Sequence, residues 1–174
     1  MRIKHYADVY ECQYPFESGL REEISSILDE IQDVQQRRTN VQATMSDWHW
    51  GERCGSKRVA DLKQFILQEA TDKNPMHTGA DGYRCMFQVK DFWINIYNKN
   101  DYAREHTHTP NDISFVYFVK CERYHSPIVF SDSKKRIRPQ NGKLVLFPSY
   151  LKHYVPTHKF EEKRVTLSGN LLVT

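Results

Sequence analysis

The chain has 174 residues, with 25 Lys and Arg against 22 Asp and Glu and a formal charge of +3. A single domain is the simplest organisation, because a fold of this size buries about 70% of the surface its unfolded chain exposes and needs no disulfide or structural metal. The small positive excess leaves no footprint for nucleic acid, and no run approaches the roughly 18 apolar residues of a membrane span.

The opening segment Met1–Asp8 has no apolar signal core, so the expected location is cytoplasmic, without membrane partners. Cys12, Cys54, Cys85 and Cys121 are widely spaced and form no CxxC pair. That argues against a thiolate zinc site and suits a reducing compartment.

In chain order, Leu20, Ile24, Ile27, Leu28 and Ile31 recur at helical spacing opposite Glu22, Glu23, Asp29, Glu30 and Asp33. The pattern predicts an amphipathic helix from Glu17 to about Thr39. Ser46–Gly51 reads as an aromatic loop in which His49 is packed or hydrogen-bonded rather than a ligand. A second helix is predicted from Ser56, its N-cap, to Lys73, with Val59, Leu62, Phe65 and Ile66 on one face. Gly79–Gly82 reads as a turn.

The remaining chain is rich in aromatic and β-branched residues punctuated by Gly, Pro, Asn and Asp. Strands are predicted at Tyr83–Val89, Phe92–Tyr97, Ile113–Lys120, Pro127–Phe130, Lys143–Pro148 and Arg164–Val173. The basic run Lys134–Arg138 reads as a solvated loop. The expected fold is mainly β with N-terminal helices, residues 1–75 giving helical support to a double-sheet jelly-roll core over 83–174 within one domain.

Chemistry concentrates in three histidines and one arginine. His106 and His108 stand one residue apart, and a strand would point both to one face. His153 follows 45 residues after His108, just past the end of the predicted Lys143–Pro148 strand. Loops at such strand ends carry function on a rigid scaffold. Three neutral imidazoles can form a facial metal site.

Arg164, Thr166 and Ser168 alternate with Val165, Leu167 and Gly169, so a strand turns all three to one face. An arginine facing a jelly-roll interior needs an anion, either an inward carboxylate side chain or a bound dicarboxylate.

These residues carry a resemblance. Trp93-Ile94-Asn95, Asp101-Tyr102, His106-Thr107-His108 and Ser114–Val119 follow one motif, and Gly142–Val155 with Arg164–Asn170 follow a second. Residues from about Phe92 to Asn170 resemble the double-stranded β-helix core, a cupin-like jelly roll, of the Fe(II)/2-oxoglutarate-dependent oxygenases. They are most similar to a small 2OG-Fe(II) oxygenase family of bacteria and phages. The resemblance implies an oxidoreductase using Fe(II), 2-oxoglutarate and O2, with His106 and His153 as iron ligands. It implies that Arg164 clamps the distal carboxylate of 2-oxoglutarate, with Thr166, Tyr117 and Asn95 as further cosubstrate contacts.

The wider superfamily has Asp or Glu where this chain has His108. His108 as a third nitrogen ligand, water in that position, or Asp112 bending back all remain open. Phe115 and Gly169 stand where that family has glycine and phenylalanine, a candidate exchange of size across the core. The leading expectation is a dioxygenase that hydroxylates an unactivated C–H of a small molecule or peptide. A three-histidine cupin-type enzyme that does not use 2-oxoglutarate and a non-catalytic jelly-roll binding module are the alternatives. Exposed jelly-roll edges also admit a homodimer.

Overall fold

The computed structural model describes residues 7–73 and 85–174. Eleven strands among them form two antiparallel sheets. The large sheet has the order β1 (Tyr10–Gln13), β9 (Lys143–Pro148), β6 (Ile113–Lys120), β11 (Arg164–Val173), β4 (Phe87–Tyr97), β3 (Thr44–Met45). The small sheet has the order β2 (Val41–Gln42), β5 (Tyr102–His106), β10 (His153–Val155), β7 (Ile128–Phe130), β8 (Arg136–Ile137). Two sheets built from antiparallel neighbours and packed face to face make a mainly β jelly roll, as expected.

The large sheet is covered on both faces. On one, α1 (Glu17–Ser26) and α3 (Lys57–Lys73) bury Leu20, Ile24, Val59, Leu62 and Ile66 against Ile94, Phe115, Tyr117 and Leu167. On the other, Phe118, Val145 and Phe147 meet Ile128 and Phe130, while Trp93 and Tyr97 meet Ala103 and Val155 of the small sheet. Burial on both faces explains why β6 and β9 read as nearly continuous apolar runs instead of alternating, and in β11 it buries the polar residues that alternate with apolar ones.

The Ser56 cap is present, its Oγ accepting the Val59 N–H at 3.1 Å. The first helix is shorter than its periodicity suggests. It stops at Ser26 and is followed by a 3-10 turn at Leu28–Glu30 and an extended Ile31. Asp33 explains the break: its carboxylate accepts the N–H of Gln36 at 3.1 Å and of Met45 at 3.3 Å. Asp side chains compete with the helix for backbone donors in this way. Gln36 and Arg37 then adopt positive φ.

Tyr83–Val89 and Phe92–Tyr97 are not two strands, because β4 runs unbroken from Phe87 to Tyr97 along β11, with the register shift taken up at Asn170/Leu171. Tyr83 and the turn at Gly79–Gly82 lie outside the described residues. Trp50–Arg53 forms a short helix, α2, that begins within the predicted aromatic loop and runs past its end, and part of the basic run, Arg136–Ile137, pairs with β7. The first 75 residues are not only helical, since β1, β2 and β3 join the two sheets. Strands of two to five residues have too few positions to show a period, which is why β1–β3, β5, β8 and β10 escape a pattern search.

Candidate metal centre

Two of the three histidines are placed by strand register. β10 lies between β5 and β7, and His153 pairs directly across from both His106 and Phe130. Cross-strand partners share a face and stand about 5 Å apart, so register alone sets His106 beside His153. β5 ends at His106, so His108 does not extend the same strand, contrary to the sequence expectation. It comes from the loop that follows, where its N–H donates to the Ser149 carbonyl at 2.8 Å. Its own carbonyl accepts the Asn111 side-chain amide, also at 2.8 Å.

The three rings converge, with centroids 4.4, 4.8 and 5.1 Å apart. One ligand atom from each lies within 4.8 Å of the others. His153 does follow the end of β9, but it opens the short strand β10 instead of lying in a loop.

The tautomers follow from the backbone. His106 Nδ1 lies 2.6 Å from the Arg104 carbonyl and His153 Nδ1 lies 2.9 Å from the Leu151 carbonyl. A carbonyl only accepts, so each Nδ1 carries the proton and each Nε2 keeps its lone pair. Burial lowers the pKa of all three rings. It falls to about 4 for His153, through burial and then His106, and to about 2 for His108, through burial and then His153 and His106. Neutral imidazoles with inward lone pairs are what a divalent metal requires. The residues present therefore fit an Fe(II) ion.

Arg164 lines the same cavity. It is 1% exposed, and its guanidinium carbon lies 4.7 Å from the Tyr97 ring centroid and 5.1 Å from that of Phe118. Nε and Nη1 have no hydrogen-bond partner among the described residues. Burial lowers its pKa, but a guanidinium stays protonated in proteins. Among the described residues no carboxylate side chain lines the cavity, so the first of the two anionic partners considered from sequence is not found there.

Thr166 and Ser168 follow Arg164 on the cavity face of β11, as alternation requires. Asn95 faces them from β4. Its amide donates to Ser168 Oγ at 3.1 Å and Thr166 Oγ1 at 3.5 Å, and its carbonyl accepts the Trp93 indole N–H at 3.1 Å. With its polar atoms so engaged, Asn95 orients the hydroxyls around it.

Tyr117 is not brought to the cavity. It points to the helix-covered face of β6, against Tyr14 at 6.0 Å, because period-two alternation sends it opposite to Val116 and Phe118. The aromatic hydroxyl beside Arg164 is instead Tyr97, missed in the sequence. It lies two residues beyond Asn95 on one strand, and the same alternation would have found it. Asp112 is not in the cluster: its carboxylate accepts the Val173 N–H at 2.8 Å, and the ligand atoms that lie together belong to His106, His108 and His153.

The arrangement defines a class, a double-stranded β-helix with a metal-ligand cluster and a buried arginine in one cavity. The sequence model of the family described as "Putative 2OG-Fe(II) oxygenase" matches residues 130–170. That is about a quarter of the chain, and it holds His153 and Arg164. No curated protein matches the sequence significantly.

Among solved structures, the fold is similar to the viral collagen prolyl hydroxylase of Paramecium Bursaria Chlorella virus-1 in its 2OG complex. That pair has a TM-score of 0.69 at 12% identity, with 94% of each chain covered. A Pseudomonas putida prolyl-4-hydroxylase gives 0.66 at 13% identity, covering 95% of this chain and 92% of that one. HygX from Streptomyces hygroscopicus, with nickel, 2-oxoglutarate and hygromycin B bound, gives 0.63 at 9% identity, covering 97% and 84%.

Fold and motif together bear out the resemblance to the 2-oxoglutarate–Fe(II) oxygenases, a class of oxidoreductases. No helix among the described residues is long and apolar enough to cross a membrane.

Proposed function

We propose that this protein is an Fe(II)- and 2-oxoglutarate-dependent dioxygenase that hydroxylates an unactivated C–H bond of a small molecule or peptide. The observation that carries this reading is the buried Arg164 guanidinium, with two unpartnered nitrogens, in the cavity that also holds the three-histidine cluster. An uncompensated buried cation is costly, and a dicarboxylate long enough to reach from the cluster to Arg164 would offset that cost.

His106, His108 and His153 would hold the metal through their ring nitrogens. Arg164 would take the distal carboxylate through its free N–H groups, with Thr166 Oγ1 and the Tyr97 hydroxyl beside it. Asn95 would keep the Thr166 and Ser168 hydroxyls in place. The apolar walls from Val41, Ala103, Ile128 and Val155 would exclude water from the cosubstrate. Fe(II), when bound, supplies the redox chemistry that couples O2-dependent conversion of 2-oxoglutarate to succinate and CO2 with hydroxylation of the substrate. The similar structures include enzymes named for prolyl hydroxylation and one bound to hygromycin B; a ring-bearing substrate, peptide or small molecule, is therefore a sensible first panel.

Anaerobic titration with Fe(II) and 2-oxoglutarate is expected to give a weak visible charge-transfer band, lost in Arg164→Ala at the same ligand concentrations. No band at saturating metal would sink the proposal. The all-histidine cluster also favours a second reading, a three-histidine enzyme that binds substrate without a keto acid. Succinate formation separates the two: substrate oxidised with 2-oxoglutarate untouched would establish the second.

A further inference from the structure

Three polar residues of the sequence motifs, Ser114, Ser149 and Asn170, are at most 3% exposed, and only hydrogen bonds to one another and to their neighbours compensate that burial. Ser114 Oγ donates to Asn170 Oδ1 at 2.9 Å. Its single proton is thereby used, so Ser114 accepts from Ser149 Oγ at 2.8 Å. The Asn170 amide donates to the Asp91 carboxylate at 2.9 Å.

Ser149 is also held through its backbone. Its N–H donates to the Asp112 carbonyl at 2.9 Å, and its carbonyl accepts the His108 N–H at 2.8 Å. A chain of hydrogen bonds thus runs from Asp91 on β4, across β11 and β6, to the Ser149 hydroxyl in the turn after β9, and continues through the Ser149 backbone to the N–H of His108. Asn111 grips the other side of the same residue, its backbone N–H at 3.0 Å and its side-chain amide at 2.8 Å from the His108 carbonyl.

His106 and His153 have no need of such a device, because the β5–β10 register fixes them. His108 lies beyond the end of β5 and would otherwise have to be ordered when the metal binds, at a cost in conformational entropy. We infer that Ser114, Ser149 and Asn170 are positioning residues that preset His108 as the third metal ligand. The inference rests on the metal-centre reading of the site. Groups that orient a metal ligand typically change metal affinity by about ten- to a hundred-fold when removed, whereas polar residues that only satisfy one another change stability and leave the ligand set alone.

The test uses Co(II) as the probe on the full chain, with affinity and visible d–d absorption measured for the wild type, Ser114→Ala, His108→Ala and the double variant. Thermal melts of the metal-free proteins report folding. Ser114→Ala is expected to weaken Co(II) binding about ten-fold and to move the absorption toward that of His108→Ala. In the His108→Ala background it is expected to add little further loss, because the two act through one ligand. Equal losses in both backgrounds, or no loss in either, overturn the inference. Should Ser114→Ala fail to fold, Ser149→Ala, which removes the hydroxyl that bonds Ser114, carries the same cycle. His106→Ala is run in parallel: binding that survives it overturns the metal centre itself, and the inference with it. Binding that His106→Ala abolishes, together with either overturning result for the cycle, leaves the metal centre standing and removes only the positioning role.

Discussion

Arg164 is held in an interior that gives its charge two aromatic faces but no anion among the cavity walls. Cation–π contacts of this kind contribute on the order of 1–2 kcal/mol each when desolvated, less than it costs to bury an unpaired charge. On the proposed function, the ligand-free protein keeps a destabilising residue that the bound dicarboxylate would compensate. Arg164→Met is expected to raise the unfolding free energy of the ligand-free protein by about 1–4 kcal/mol while abolishing 2-oxoglutarate binding, read by denaturant titration and calorimetry. A variant that loses stability would mean that Arg164 is already paired.

A second residue-scale effect concerns His125. Its ring packs 4.7 Å from that of His158, and burial, then His158 and Arg164, hold its pKa at about 4 against an ordinary 6.5. Between those values the unfolded chain binds a proton that the folded chain refuses, so the contribution is complete above pH 6.5 and is lost as pH falls toward 4. His125→Phe is expected to lose less melting temperature than the wild type between about pH 7 and pH 5; equal losses would place the acid sensitivity elsewhere.

Among the elements, β11 joins the site to the helical layer, with Arg164, Thr166 and Ser168 facing the cavity and Val165 and Leu167 in the helix-side core. Gly169 lies under the ring of Phe115, its register partner on β6, and a Cβ there would stand 2.5 Å from Cζ of that ring. The exchange of size suspected from sequence is thus a direct contact. Gly169→Ala is expected to cost about 1–3 kcal/mol by overpacking, measured by denaturant unfolding. Adding Phe115→Leu should recover only part of the loss, because the Asp91 carbonyl also crowds the position. The helices offer a simpler case: Ser56→Ala removes the cap on Val59 N–H and should cost about 1 kcal/mol, with cavity chemistry untouched. An unchanged melting temperature would show that water replaces the hydroxyl.

Elements were legible in sequence where they were long. Ile113–Lys120, Lys143–Pro148 and Arg164–Val173 stand at the predicted bounds, because six to ten residues rich in apolar and β-branched side chains outvote any local alternative. The first helix was overextended because Asp33, counted on a polar helix face, spends its carboxylate on backbone N–H groups instead. β5 and β10, which carry two of the three histidines, are five and three residues long and exist by pairing more than by propensity.

At the scale of the molecule, metal and cosubstrate are expected to stabilise one closed arrangement of the two sheets, since the histidine cluster and Arg164 line one cavity between them. Mn(II) and 2-oxoglutarate together should raise the melting temperature by more than the sum of their separate effects. Each ligand at a hundred times its Kd contributes about 2.7 kcal/mol. Strictly additive shifts would mean separate sites. The sequence by itself determined the residue types and their order: two helices ahead of a β core, an HxH pair, a distant third histidine and an inward arginine. Those features are local, written in periodicity and spacing, and the class came from the resemblance that the motifs between Phe92 and Asn170 carry. Only the tertiary structure decided how the HxH pair is arranged, with His106 set beside His153 by cross-strand register and His108 supplied by a loop hung from buried serines. It also moved Tyr117 out of the cavity and Tyr97 into it, and tied Asp112 to Val173. Which side chains meet across two sheets depends on register and on where short strands end, and those are fixed by pairing between segments far apart in the chain.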